Sequence, residues 1–296
     1  MASLFRGNVA GADGTLILSR LSAMAAPEVV QSRANPLYKR LRALVDRGAA
    51  REACLLEGPK LTIEALAAGV RVIEAAAGPR AERTPAGAQA LAALAAAGVA
   101  VRRVSEELLA SLSEAETAQG LLAVAERPTF ERSPAAAGPP LVLVADAVQN
   151  PGNLGGLLRS AEAAGATHAF LTAGCADPFS WKALRGSMGS AFRLPHSRGR
   201  SLDGVLDELL RGGVRVVATA ADAETRYDEA DLRGPVAVLV GGEGAGLPAE
   251  AQARAAVRVR VPLRPPVESL NVGVAAALVL FEAARQRGFA AGHPAR

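Results

Sequence analysis

Between Leu141 and Val261 the chain alternates short apolar runs with amphipathic stretches. The runs Leu141–Val144, His168–Thr172, Val214–Ala218, Val236–Val240 and Val257–Val261 predict strands. Several are almost continuously apolar, the pattern of strands covered by helices on both faces. The segments Leu154–Ala164, Leu202–Arg211 and Ala249–Ala255 predict helices. In the first, Leu154, Leu157, Leu158 and Ala161 form one apolar stripe and Arg159 points away from it. The expected fold class is therefore α/β with a mostly parallel sheet, and ligands belong in the loops beyond the strands' carboxyl ends.

A weaker alternation precedes it, with strands expected at Ala53–Glu57, Val70–Glu74, Val99–Val104 and Leu121–Ala125 and helices between them. RPTFERSPAAAGPP, residues 127–140, is rich in proline and reads as a linker. The division that follows is a small α/β unit over 32–126, a larger one over 141–288 and a tail over 289–296. Residues 1–31 read as an extension without a secretory layout, with Met24 as an alternative start.

The last strand runs into an unusual segment, VPLRPPVESLNVGVAAAL. Pro262, Pro265 and Pro266 forbid regular structure, and Glu268 or Ser269 is expected to cap the helix that follows, with Gly288 ending it. Gly273 and Ala275–Ala277 leave that helix thin enough for a close neighbour. Two other loops carry polar or glycine-rich text. DAVQNPGNLGG, from Asp146, makes a turn at Pro151-Gly152 with Asn153 as a candidate cap, and GGEGAGL, from Gly241, follows a buried-type strand directly.

Composition narrows the classes. The 296 residues are half hydrophobic, enough for two cores, yet no uninterrupted apolar run spans a membrane. A soluble, cytoplasmic protein is expected. Cys54 and Cys175 are the only cysteines and lie far apart, which favours neither a disulfide framework nor a zinc site. Of 33 basic residues only Lys39, Lys60 and Lys182 are lysines, and the net charge of +4 allows an acidic partner. Arg33, Lys39, Arg40, Arg42 and Arg47 crowd into SRANPLYKRLRALVDRGAAR, which is either a solvated helix face or a phosphate-contacting surface.

Common motifs do not fit. GGEGAGL places Leu247 where the dinucleotide fingerprint needs its third glycine, and no Walker A sequence occurs. Arg185-Gly186-Ser187-Met188-Gly189 lacks the first glycine of a nucleophile elbow. His168, His196 and His293 form no ligand cluster and read as surface or structural histidines; no metal is expected.

QNPGNLGGLLRSAEAAGA, LVGGEGAGLP and VPLRPPVESLNVGVAAAL, in this order, closely resemble the three motifs of the SpoU (TrmH-like) family of SPOUT RNA methyltransferases. WKALRGSMGSAFRLP resembles the family's central stretch. SRANPLYKRLRAL, CLLEGPKLTIEAL and TAQGLLAVAE resemble the small RNA-binding domain that many members carry. One departure is Asn150, where many relatives have an acidic residue before Pro-Gly.

The resemblance implies transfer of the methyl of S-adenosylmethionine to a ribose 2′-hydroxyl, a C-terminal trefoil knot and a homodimer. It places the cofactor against Gly241, Val261 and Leu270, with Thr219, Gly242, Gly244 and Leu263 nearby. It puts Asn153, Arg159, Glu243, Ser269 and Asn271 at catalytic or site-organising positions, and phosphate contacts at Arg33, Lys39, Arg40 and Arg42. A sulfonium methyl is already activated, so alignment with the hydroxyl dominates and no metal is required. Arginine is a poor free base, so Arg159 is expected to hold a phosphate and stabilise the developing alkoxide, in some relatives within the partner's site. Glu243 is open to two readings, catalytic or capping the glycine loop, and so is Ser269, catalytic or helix cap. The small domain favours 23S ribosomal RNA. Transfer RNA, a noncatalytic RNA-binding or ribosome-assembly role, and a small-molecule enzyme using a nucleotide remain as alternatives.

Overall fold

The computed structural model describes residues 29–46, 52–113, 118–130, 138–244 and 246–289. The small N-terminal unit runs α1 (Pro36–Asp46), β1 (Ala53–Glu57), α2 (Pro59–Ala67), β2 (Val72–Ala77), α3 (Pro79–Arg83), α4 (Pro85–Ala96), β3 (Val101–Arg103), α5 (Glu106–Ala110) and β4 (Leu121–Glu126). Its sheet has the order β1-β4-β2-β3, with β4 antiparallel to both neighbours and β2 parallel to β3. Strand β2 begins and ends later than its sequence suggests, because Ala75–Ala77 are strand residues here. Alanine prefers helices, but these three are buried and paired on both sides, so packing decides. Alternate residues of the sheet face α1 and α5 on one side (Leu55, Ala76, Leu122, Val124) and α2 and α4 on the other (Cys54, Leu56, Ala75, Ala123).

The larger unit runs β5 (Leu141–Ala145), α6 (Pro151–Ala163), β6 (His168–Thr172), α7 (Trp181–Ser187), α8 (Ser190–Arg193), β7 (His196–Arg200), α9 (Leu202–Arg211), β8 (Arg215–Thr219), β9 (Thr225–Arg226), β10 (Val236–Val240), α10 (Ala249–Ala253), β11 (Val257–Arg260) and α11 (Val272–Gln286). All pairings in its sheet are parallel, in the order β7-β6-β5-β10-β8-β11-β9. Leu141, Leu143, Val236, Val238 and Val240 pack on the face that carries α6 and α11, while Val142, Val144, Ala237 and Leu239 face α9 and α10. This period-two division explains why the runs are apolar throughout.

From β5 the chain winds one way through β6 to β7, and the other strands lie on the opposite side. The loops after β5 and β10 therefore open next to each other, since Ala145 pairs with Val240. A crevice at such a reversal is where α/β sheets bind ligands.

The segment read as a linker begins with a clasp between the two units. Arg127, only 9% exposed, donates to Ala53 O at 3.2 Å and pairs with Asp177 at 2.5 Å, its guanidinium over the Phe179 ring. Phe130 packs on His196, whose Nδ1 lies 3.0 Å from Leu194 O. Burial holds the His196 pKa below its usual value, so the ring is a neutral, satisfied structural group. One apolar cluster runs from Leu56 and Leu61 of the small unit to Phe179 and Phe192 of the large one. Among the described residues no helix is long and apolar enough to cross a membrane.

Candidate active site

Three loops meet at the carboxyl ends of β5, β10 and β11. The first opens with Asp146, whose carboxylate accepts from the Thr172 hydroxyl at 2.7 Å, while Ala147 takes a positive φ of 50°. Asn150, not Asn153, then caps α6: its Oδ1 accepts from Gly152 N at 2.8 Å and Asn153 N at 3.1 Å, with Pro151 at the first helical position. This frees the Asn153 side chain to point out of the first turn. The cap role also accounts for Asn150 in place of an acidic residue, because either side chain offers the oxygen a cap requires.

The Asn153 amide is the centre of a short polar chain. Its Nδ2 donates to Glu243 Oε1 at 2.7 Å, and its Oδ1 accepts from Asn271 Nδ2 at 2.9 Å. Glu243 Oε2 accepts from Gln149 N at 3.2 Å. Residues 90 and 118 positions from Asn153 thus meet on one amide. Partial burial alone would raise the Glu243 pKa, but the bonds from Asn153 and from backbone N–H groups outweigh it and hold the carboxyl below its usual value. Glu243 is accordingly ionised and already occupied by donors.

Asn271 also caps α11, accepting from Gly273 N at 2.9 Å. The cap expected at Glu268 or Ser269 lies two or three residues further on. Ser269 is exposed and has no hydrogen-bond partner among the described residues. Gly288, with φ 79°, follows the helix end as expected.

Arg159 stands exposed on α6, and among the described residues nothing pairs with it. Its helix carries Leu154, Leu157, Leu158 and Ala161 fully buried on the opposite face. Other arginines are engaged: Arg40 grips Glu74 through two bonds of 3.1 and 2.8 Å, and Arg42 donates to Ser111 O at 3.2 Å. Two of the four expected phosphate contacts are thus tied to the protein itself, while Arg33 and Lys39 are exposed. Arg47 and Arg51 lie outside the described residues, as do residues 1–28 and His293.

The residues expected around a cofactor fall at the carboxyl ends of β8, β10 and β11 and in the loops that follow β10 and β11. Thr219 pairs in register with Val259, Gly241 follows Val240, and Val261 follows β11. The glycine loop doubles back on itself through a Gly242–Gly246 bridge. At Gly241 a methyl would collide with the Gly246 carbonyl, and at Gly242 with Ala147 O, so both must be glycine. Gly244, at φ 90°, is exposed with open space where a side chain would stand. Val261, Leu263 and Leu270 are half-buried, and none of these residues is a cation.

A groove of about 650 Å³ runs from Asn153 and Asn271 between α6 and α11, lined by Gly152 and Ser160 on one side and by Val274, Leu278 and Phe281 on the other. Val274, Phe281 and Phe289 are 49%, 41% and 58% exposed.

Comparison with known proteins shows the family to which this fold belongs. The SpoU rRNA Methylase family matches residues 140–281, a span that holds all three loops. A 23S rRNA (guanosine(2553)-2'-O)-methyltransferase of Bacillus subtilis is 39% identical over 62% of this chain and 72% of its own length. The chain belongs to the SpoU rRNA methylase family. The MRM3-like substrate binding domain matches residues 35–123, the small sheet and its helices. Among solved structures, an RNA 2'-O ribose methyltransferase superposes with a TM-score of 0.77 at 39% identity, covering 88% of this chain and 99% of that one. An AdoMet-bound rRNA methyltransferase from Sinorhizobium meliloti gives 0.74 at 32% identity, covering 87% and 97%.

Sequence reasoning missed Gln149, whose backbone N–H holds Glu243, and the capping role of Asn150. Asn followed directly by Pro was a legible cap signal for the second. The first had none, since a backbone donor leaves no mark in the side chains.

Proposed function

We propose that this protein transfers the methyl group of S-adenosylmethionine to a ribose 2′-hydroxyl of 23S ribosomal RNA. The observation that carries this reading is the convergence of Asn153, Glu243 and Asn271 from three distant loops at the carboxyl ends of the strands, beside a helix whose Arg159 has no partner among the described residues. The relatives named above for rRNA methylation and 2′-O activity support the reaction and its substrate class.

The cofactor residues fit the group. Backbone amides, one threonine and three half-buried aliphatic chains, with no cation among them, suit a positively charged sulfonium nucleoside. Bound there, the cofactor supplies a methyl already activated for transfer. What remains for the chain is placement and charge. Arg159 takes a phosphate beside the reacting ribose and stabilises the alkoxide as the hydroxyl loses its proton. Asn153, Glu243 and Asn271 are positioning residues: they lock the glycine loop, α6 and the last loop in one arrangement. Ser269, exposed on that last loop and without a hydrogen-bond partner among the described residues, contacts the substrate or cofactor.

The division at 32–126 and 141–288 separates RNA capture from chemistry. The groove between α6 and α11, with its exposed Val274, Phe281 and Phe289, takes a second copy of the chain, and Arg159 beside it then serves the partner's site. The C-terminal segment closes the trefoil knot expected from the resemblance. Thermal-shift titration tests the cofactor assignment: S-adenosylhomocysteine raises the melting temperature, and it no longer does so when Gly244 is replaced by Val.

A further inference from the structure

The arginines along the boundary between the two units are nearly all neutralised. Arg127 and Arg198 share Asp177, and Arg193 holds Glu64 and Glu162. Arg185, on α7, breaks the pattern: it is exposed, and among the described residues it has no partner.

Its position gives this exception meaning. Helix α7 presses on the first turns of α6 at Gly186, where an added methyl would come 3.0 Å from Gly152 O and 3.4 Å from Gly155 Cα. Arg185 immediately precedes this contact, and Arg159 lies one helical turn beyond Gly155 on the same side of α6. Just past that same C-terminal end of α7, a methyl at Gly189 would come 2.8 Å from Glu64 Cβ of α2. Helix α7 therefore bridges from the small unit to the turn that carries Asn153. Both guanidinium groups stand exposed on adjacent helices, and among the described residues no carboxylate neutralises either, so both are available to an anion. Arginine suits phosphate oxygens through its planar fork of donors.

We propose that Arg185 is a substrate-positioning residue, gripping a phosphate of the RNA strand as it passes over α7 to the ribose beside Arg159. The inference rests on the methyltransferase reading and adds the path by which RNA reaches the site.

The test compares the full-length protein with Arg185→Ala and Arg185→Lys, using deproteinised 23S ribosomal RNA as the probe. Three quantities are read: the salt slope of RNA binding, KM and kcat for methyl transfer, and the thermal shift with S-adenosylhomocysteine. Arg185→Ala is expected to flatten the salt slope by about one phosphate contact. KM for RNA rises several-fold and the thermal shift is unchanged, while Arg185→Lys restores the slope but only part of the KM. A salt slope and KM equal to the parent's would make Arg185 a solvated surface residue and overturn the proposal. So would a loss of melting temperature in both variants that accounts for the lost activity. If the parent binds this RNA without methylating it, the proposed reaction falls, while the slopes still decide whether Arg185 holds a phosphate.

Discussion

Asn271 Nδ2 donates to Asn153 Oδ1 at 2.9 Å, joining residues 118 positions apart, while the Asn271 oxygen caps the last helix. One side chain thus has a structural acceptor and a site-organising donor, and a substitution can separate them. Aspartate caps as well as asparagine, but it cannot donate to Asn153 and adds a negative charge near Glu243. For Asn271→Asp the melting temperature is expected to stay within a few degrees of the parent's, while kcat falls about a hundredfold through misplacement. Parallel melting and kinetic measurements check this, and an unchanged kcat would show that the link is incidental.

Glu243 supplies a second expectation. Its carboxyl is held below the usual value of about 4.3 because Asn153 and backbone N–H groups bond to the charged form, outweighing the opposing effect of partial burial. A lowered folded pKa means that this carboxylate's contribution to stability is fully present above the unfolded value and disappears as pH falls through the lowered one. The carboxyl carbon resonance of Glu243, followed by NMR titration, should therefore have a midpoint below that of an ordinary glutamate. An Asn153→Ala variant should move it upward. A midpoint near neutrality would instead recommend Glu243 as the proton acceptor.

Close packing of α6 on α7 yields a ranking. A methyl at Gly155 collides with the Ala183 carbonyl and lies 3.0 Å from Gly186 Cα, all backbone. Gly155→Ala should destabilise by about 1–3 kcal/mol, despite the roughly 1 kcal/mol that alanine gains in a helix. Gly156 has open space, and Gly156→Ala should be neutral or stabilising. Denaturant melts of the pair read the difference directly.

Arg193 links the two units through Glu64 and Glu162. The side chain is about a third exposed, so solvent screens much of the attraction. A double-mutant cycle of Arg193→Ala with Glu64→Ala should give a coupling of only about 0.5–1 kcal/mol. The effect on domain orientation should exceed it: small-angle scattering is expected to show a larger radius for Arg193→Ala at raised salt than for the parent.

How much of this was legible in sequence depends on how each element is held. Strands buried on both faces announce themselves, and His168–Thr172 and Val236–Val240 match their predicted limits. Strands β7 and β9 did not, because His196–Arg200 and Thr225–Arg226 are edge strands whose pairing is carried by backbone and whose side chains are mostly polar. The resemblance supplied Asn153, Glu243 and Asn271 as site residues, but not that they form one chain of hydrogen bonds. The parallel register that sets Ala145 beside Val240 brings the loops of Asn153 and Glu243 together, and the path of the chain from β11 into α11 brings Asn271 to them. Likewise, nothing in SRANPLYKRLRAL showed that Arg40 is spoken for by Glu74, a residue on another element.

The central claim is most directly tested by transfer of labelled methyl from S-adenosylmethionine to total RNA taken from a strain lacking this gene. Mapping of 2′-O-methyl sites follows, with Arg159→Ala as control. The predicted result is one modified ribose in large-subunit ribosomal RNA that disappears with Arg159→Ala. Absence of incorporation into ribosomal or transfer RNA, with the cofactor demonstrably bound, would contradict it.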